Sequence, residues 1–165
     1  MTIEGSKITL RPVTSEDREF LIRVYAASRE AELNVVPWND EQKRLFAANQ
    51  LDAQTRHYLE KYPDADHDII VVDGKDVGRI YVNRNNREIA ILDITVLPGE
   101  RRNGVGSHFV DAFKAEAGES RSVRIYVETF NPSKDFFLKR GFVVAEEDDV
   151  FLLLRWDDKE KSVNR

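Results

Sequence analysis

Apolar residues recur along this chain at two different periods, and the switches between them mark its elements. Residues 7–11 alternate around Ile8 and Leu10 and predict a short strand. Thr14-Ser15-Glu16-Asp17 then offers a helix cap with acids in the first turn, and Phe20, Leu21, Val24 and Tyr25 follow at helical spacing. A second helical stretch covers residues 40–62, after Pro37-Trp38. The period then falls to two. Residues 68–72 and 77–82 are β-rich runs joined by Asp73-Gly74-Lys75-Asp76, a hairpin signal, and residues 83–87 turn the chain into a longer apolar strand, 88–97. Helical spacing returns at Val105, Phe109, Phe113 and Ala117. A strand over 123–128, a short helix over 132–140 opening with proline, and a closing hairpin of 142–144 with 150–154 complete the pattern.

The order β-α-α-β-β-β-α-β-α-β-β predicts an α/β chain of the α+β type: one twisted, mixed and mostly antiparallel sheet with helices on both faces. The 165 residues suffice for a single domain with its own core, taken as residues 1–156, followed by a polar, mostly charged tail over 157–165. A net charge of −5 argues against a general nucleic-acid or membrane binder, because phosphate binding needs clustered cations. No cysteine is present, which removes disulfides, thiolate metal sites and a cysteine nucleophile. The first dozen residues hold no apolar secretory core, and no run approaches the roughly 18 apolar residues of a membrane span. A cytoplasmic location is expected.

One junction asks for more than a turn. Residues 97–109 read LPGERRNGVGSHF, with two arginines and three glycines between an apolar strand and a helix. A helix start exposes unpaired N–H groups at the positive end of its dipole, glycines at 104 and 106 let a ligand approach the backbone, and Arg101 and Arg102 can add charge-assisted hydrogen bonds. A pyrophosphate fits such a cradle. The nucleotide P-loop is excluded because Ser107 and His108 follow Gly106, and the dinucleotide fingerprint because position 109 is Phe109. What remains is R-x-x-G-x-G, carried by Arg101, Gly104 and Gly106; a glycine-rich turn with solvated arginines is the plain alternative.

Here the chain resembles the GNAT family, the Gcn5-related N-acetyltransferases. The strand Ile91-Leu92-Asp93-Ile94-Thr95-Val96, the R-x-x-G-x-G turn and the following helix resemble the family's acetyl-CoA motif. Downstream, Val127-Glu128-Thr129-Phe130-Asn131-Pro132-Ser133 and then Phe136-Phe137-Leu138-Lys139-Arg140-Gly141-Phe142 resemble its second signature. The resemblance implies that two strands splay apart and that acetyl-CoA, as cosubstrate, lies in the V between them. Backbone of Ile94, Thr95 and Val96 would pair with the pantetheine amides, as an added strand would. The loop and helix start, Arg101, Arg102, Asn103, Gly104, Val105, Gly106 and Ser107, would hold the pyrophosphate. Asn131 matches the asparagine that reaches the pantetheine arm and reads equally well as the cap before Pro132. The chain departs from the family at Phe137, where most members carry the tyrosine that protonates the leaving thiolate. The phenyl ring would wall the thioester, or simply belong to the core.

The implied activity is direct transfer of acetyl to a primary amine of a small molecule or peptide. A non-catalytic acyl-CoA-binding or sensing module of the same fold is the alternative, and a homodimer is compatible with either. A lysine-like amine has a pKa of about 10.4, so about one molecule in a few thousand is neutral at pH 7 and a base is expected. Asp93 interrupts an apolar strand, where a carboxylate is costly unless it is paired, with an arginine such as Arg79, or functional. Glu128 ends its strand just upstream of Asn131; the two acids rank level and Glu88 well behind. Tyr126 shares the side-chain parity of Glu128 and is the candidate hydroxyl in place of the missing tyrosine. His57 and His67 read as surface residues, His108 as a packing or phosphate contact, and no spacing reads as a metal site. Acceptor specificity is expected between residues 28 and 62, with Trp38 more an anchor of its loop than a substrate wall.

Overall fold

Asp73 (φ 50°) and Gly74 (φ 82°) both adopt left-handed backbone, the pair of conformations that a two-residue type I′ turn requires. In the computed structural model, which describes residues 6–101 and 104–158, that turn joins β2 (Asp66–Val72) to β3 (Lys75–Arg84). The first strand, β1 (Ile8–Pro12), lies antiparallel to β2 in a register running from Ile8↔Val72 to Pro12↔Asp68. The turn is also tied back to β1, since Lys7 N–H donates to Asp73 Oδ1 at 2.8 Å.

The first helix, α1 (Arg18–Ser28), follows a single 3-10 turn, Ser15–Asp17. Thr14 caps that turn as its sequence predicts: its hydroxyl accepts the Glu16 N–H, and the Asp17 carboxylate accepts the Thr14 N–H at 2.8 Å. A one-turn helix that periodicity does not announce, α2 (Glu30–Leu33), precedes α3 (Asp40–Lys61). Asn39 and Gln42 open α3 reciprocally, Asn39 Oδ1 accepting from Gln42 N–H at 2.8 Å and Gln42 Oε1 from Asn39 N–H at 2.9 Å. Trp38 lies 5.4 Å from the Phe46 ring, which fixes the loop onto α3 as an anchor.

The remaining elements are β4 (Glu88–Val96), α4 (Val105–Ala117), β5 (Ser122–Glu128), α5 (Ser133–Leu138), β6 (Val143–Glu147) and β7 (Phe151–Trp156). The seven strands form one sheet in the order β1-β2-β3-β4-β5-β7-β6, with β4 and β5 parallel and β5–β7 and β6–β7 antiparallel. Two compact units divide the chain: one comprises residues up to Tyr81 with Ile94–Val105, the other Val82–Asp93 with residues from Gly106 on.

In the first unit, Leu21, Ile22 and Tyr25 of α1 pack with Ala47, Ala48 and Leu51 of α3 and with Ile69 of β2. Strand β2 begins two residues earlier than its pattern suggests, so His67 lies inside the sheet rather than before it. It is partly buried and stacks on Tyr81 at 4.3 Å, a correction to its expected surface position. In the second unit, Phe109, Phe113 and Ala117 are buried as their spacing predicts, with Val110. Val123, Ile125 and Val127 of β5 are buried opposite Trp156, Leu154 and Leu152 of β7. The Gly-Phe step after α5 has a backbone cause. Gly141 takes φ 90°, and Phe142 N–H reaches back to Phe137 O at 3.2 Å, which closes the helix in a Schellman-type cap only a left-handed residue allows. The described helix therefore ends at Leu138, short of residue 140. Among the described residues, no helix is long and apolar enough to cross a membrane.

Candidate functional site

The parallel ladder between β4 and β5 runs from Glu88↔Ser122 to Ile91↔Ile125. Both strands extend beyond it, β4 through Leu92–Val96 and β5 through Tyr126–Glu128. The far end of β4 is held from β3. Leu97 N–H donates to Val77 O at 2.8 Å, and the Thr95 carbonyl lies over Gly78, where a Cβ would meet it at 2.2 Å. No side chain fits there, so Gly78 permits the course of the segment that carries Ile94, Thr95 and Val96. A glycine inside an apolar strand signals such close approach of backbone, and sequence reasoning passed over it.

Beyond β4 the chain makes a 3-10 turn, Pro98–Glu100, and Arg101 turns back on it: its Nε donates to Val96 O at 3.0 Å, so one edge of the guanidinium serves the loop itself. Arg102 and Asn103, both expected in the cradle, lie outside the described residues. Gly104 sits at φ 79°, a left-handed position that lets the chain swing into α4. Val105 is buried at the helix start. Gly106 has a packing reason for its small size, because a Cβ there would lie 3.2 Å from Cζ of Phe136. The Ser107 hydroxyl accepts from Arg140 Nη2 at 2.7 Å, and His108 is exposed on the same helix.

In the second unit, alternation along β5 sets Arg124, Tyr126 and Glu128 on the face opposite the buried valines and isoleucine. Tyr126 is 53% exposed, and the Arg124 guanidinium lies 5.6 Å from its ring centre. Arg124 also donates to Glu88, so that acid has a structural partner, in keeping with its low rank as a base. Glu128 is partly buried opposite Phe151, and Asp93 is partly buried on β4. Arg79, considered above as a partner for Asp93, is fully buried in the first unit and donates to Gln54 Oε1 of α3. Asn131 accepts the Ser133 N–H on Oδ1 at 2.9 Å; its cap role uses the oxygen and leaves the amide NH2 for another acceptor. Phe137 is 3% exposed, edge-on to Phe136 at 5.1 Å and to Phe142 at 5.2 Å.

Residues 21–142, more than half of the chain, match the acetyltransferase (GNAT) family. The chain belongs to the GNAT family. Solved structures agree on the GNAT fold. A PaiA N-acetyltransferase from Thermoplasma acidophilum, in complex with coenzyme A, aligns with a TM-score of 0.65 at 19% identity over 92% of this chain and 99% of that one. Arabidopsis thaliana Naa50, in complex with the bisubstrate analogue CoA-Ac-MVNAL, aligns at 0.55 and 16% identity over 91% and 98%. Ard1 from Thermoplasma volcanium aligns at 0.57 and 25% identity over 90% and 96%. A comparison with curated protein sequences gives no match. Phe136 and Arg140 belong to the second signature segment, but sequence reasoning assigned neither a role of its own. Their contacts to Gly106 and Ser107 join positions some thirty residues apart, and no local pattern reports them.

Proposed function

We propose that this GNAT chain is an acetyl-CoA-dependent N-acetyltransferase that moves acetyl directly to a primary amine of a small molecule or peptide. The observation that carries the reading is the left-handed Gly104 leading from the end of β4 into α4. That arrangement suits a diphosphate: the first N–H groups of a 13-residue helix meet it, and the helix dipole favours its charge. The coenzyme A complex of the PaiA structure and the coenzyme A–peptide analogue bound to Naa50 support the same reading. Ile94, Thr95 and Val96 would bind the pantetheine arm through backbone, with the Asn131 amide NH2 donating to one of its carbonyls.

The chemistry assigned to this chain's own residues is proton handling. An ammonium proton first passes to Asp93 or Glu128, directly or through water; the neutral nitrogen then bonds to the acetyl carbon, the carbon–sulfur bond breaks, and the nitrogen gives up its second proton to water as the amide forms. Tyr126 or water protonates the departing thiolate. A thiol has a pKa of about 8.5, so the thiolate leaves without the strong acid an alkoxide needs, and Phe137 in place of tyrosine is tolerable. The same Phe137 favours a second reading, an acyl-CoA-binding module without turnover.

Calorimetric titration with acetyl-CoA, followed by thiol release with a panel of polyamines, amino acids, antibiotics and peptides, tests both. Micromolar binding with release on at least one amine is expected. Binding without release on any amine selects the module, and no binding overturns the cradle assignment.

A further inference from the structure

The glycine turn into α4 and the 136–142 run are distant in sequence, and one side chain joins them. Arg140 Nη2 donates to Ser107 Oγ at 2.7 Å, and Nη1 donates to the Phe136 carbonyl at 2.9 Å. The guanidinium carbon lies 3.7 Å from the centre of the Phe136 ring, and the tip of that ring would crowd a Cβ at Gly106, at 3.2 Å. Lys114 of α4 donates to the Arg140 carbonyl from the other side. The guanidinium is thus stacked, bonded at two of its five N–H groups and fixed at the first turn of α4.

The guanidinium serves two helix ends at once: the Phe136 carbonyl belongs to the end of α5, where a cation is favoured, whereas Ser107 lies in the first turn of α4, where it is not. The start of a helix carries positive partial charge, and a cation belongs at its other end. Among the described residues no carboxylate pairs with Arg140. A neutral side chain would pack on Phe136 without that cost, and Ser107 could bond water. An anion at the helix start reverses the sign: it meets the N–H groups and the guanidinium fork together, the combination that binds phosphate best.

We propose that Arg140 is a phosphate-binding residue for acetyl-CoA, supplied from α5's end rather than from the R-x-x-G-x-G loop and preset by Phe136 and Ser107. It rests on the cradle proposed above. Its target is a phosphate at the nucleotide end of the cosubstrate, either the pyrophosphate or the ribose phosphate.

Arg140→Met should weaken acetyl-CoA binding about tenfold or more, the size of a lost charge-assisted contact. It should also flatten the dependence of affinity on salt. Arg140→Lys, which keeps charge but not the fork, should recover part of the loss. Turnover of S-acetyl-pantetheine, which has neither phosphate, should be unchanged in both variants. An equal loss for CoA and dephospho-CoA assigns the pyrophosphate, and a smaller loss for dephospho-CoA assigns the ribose phosphate. In the wild-type chain, CoA should slow phenylglyoxal modification of Arg140, followed by peptide mass spectrometry, while pantetheine should not; this arm holds even where a variant fails to fold. Equal loss for acetyl-CoA and S-acetyl-pantetheine, acetyl-CoA binding in Arg140→Met within twofold of wild type, or no protection by CoA would overturn the proposal. Failure of the wild type to bind acetyl-CoA overturns the cradle and Arg140's role together, whereas wild-type binding with an unaffected variant overturns only the latter.

Discussion

Asp17 is 7% exposed yet ionised, and the donors of Arg11 and Thr14 explain how. Arg11 reaches it with Nη1 at 3.0 Å and Nη2 at 2.8 Å, and Thr14 N–H adds a bond at 2.8 Å. The Arg11 hydrogen bonds, opposed by burial and aided by Thr14, lower its pKa from 3.8 to about 2. Because the folded value lies below the unfolded one, the pair stabilises the fold above about pH 4, and that contribution is lost as pH falls toward 2. Asp17→Asn should cost on the order of 2 kcal/mol at neutral pH. The variant should also lose stability less steeply than wild type between pH 4 and 2, which urea denaturation across that range would measure. An unchanged acid limb would sever the link between this pair and acid stability. The Thr14–Asp17 cap was legible, because its partners are three residues apart. The Arg11 fork was not: its second acceptor, Asp76 at 2.9 Å, comes from β3.

At the scale of elements, local pattern and composition located every described strand and the three long helices, while boundaries moved by one to several residues where turn chemistry or pairing decided. The Asp73-Gly74 turn was readable as residue types, whereas Gly141 entered only as part of a signature segment, and its role as a left-handed cap came from the structure. The one-turn α2 was not readable, since four residues are too few to show a period. Gly78 is the element-scale determinant that matters most for the site. Gly78→Ala would place a Cβ 2.2 Å from the Thr95 carbonyl, so the end of β4 must move. We expect a loss of about 1–3 kcal/mol in stability, the usual cost of overpacking. A weaker acetyl-CoA affinity should accompany it, because Ile94, Thr95 and Val96 shift with their backbone. Thermal melts and calorimetry read the two effects separately. Wild-type affinity in a destabilised variant would show that the course of this segment does not govern cosubstrate binding.

On the scale of the whole molecule, the candidate bases Asp93 and Glu128 both belong to the second unit, on β4 and β5 just past their parallel ladder. Their roles depend on what the surrounding chain brings to them. Asp93→Asn or Glu128→Gln should reduce turnover at neutral pH by about 10²–10⁴-fold in the variant that removes the base. Activity should recover as pH approaches the pKa of the acceptor amine, which pH–rate profiles of both variants would reveal. Wild-type profiles in both would leave deprotonation to water. By itself the sequence determined the α/β class, the order of strands and helices, the buried stripe Phe109-Phe113-Ala117 and the two signature segments, because each is written in local spacing or in residue type. Only the tertiary structure decided that Gly106 makes room for Phe136, that Gly78 makes room for the Thr95 carbonyl, and that Arg140 lies against Ser107 at the start of α4. Those relations join residues that are far apart along the chain. A hydrophobic period encodes which face of an element is buried; it carries no information about which distant residue that face will meet.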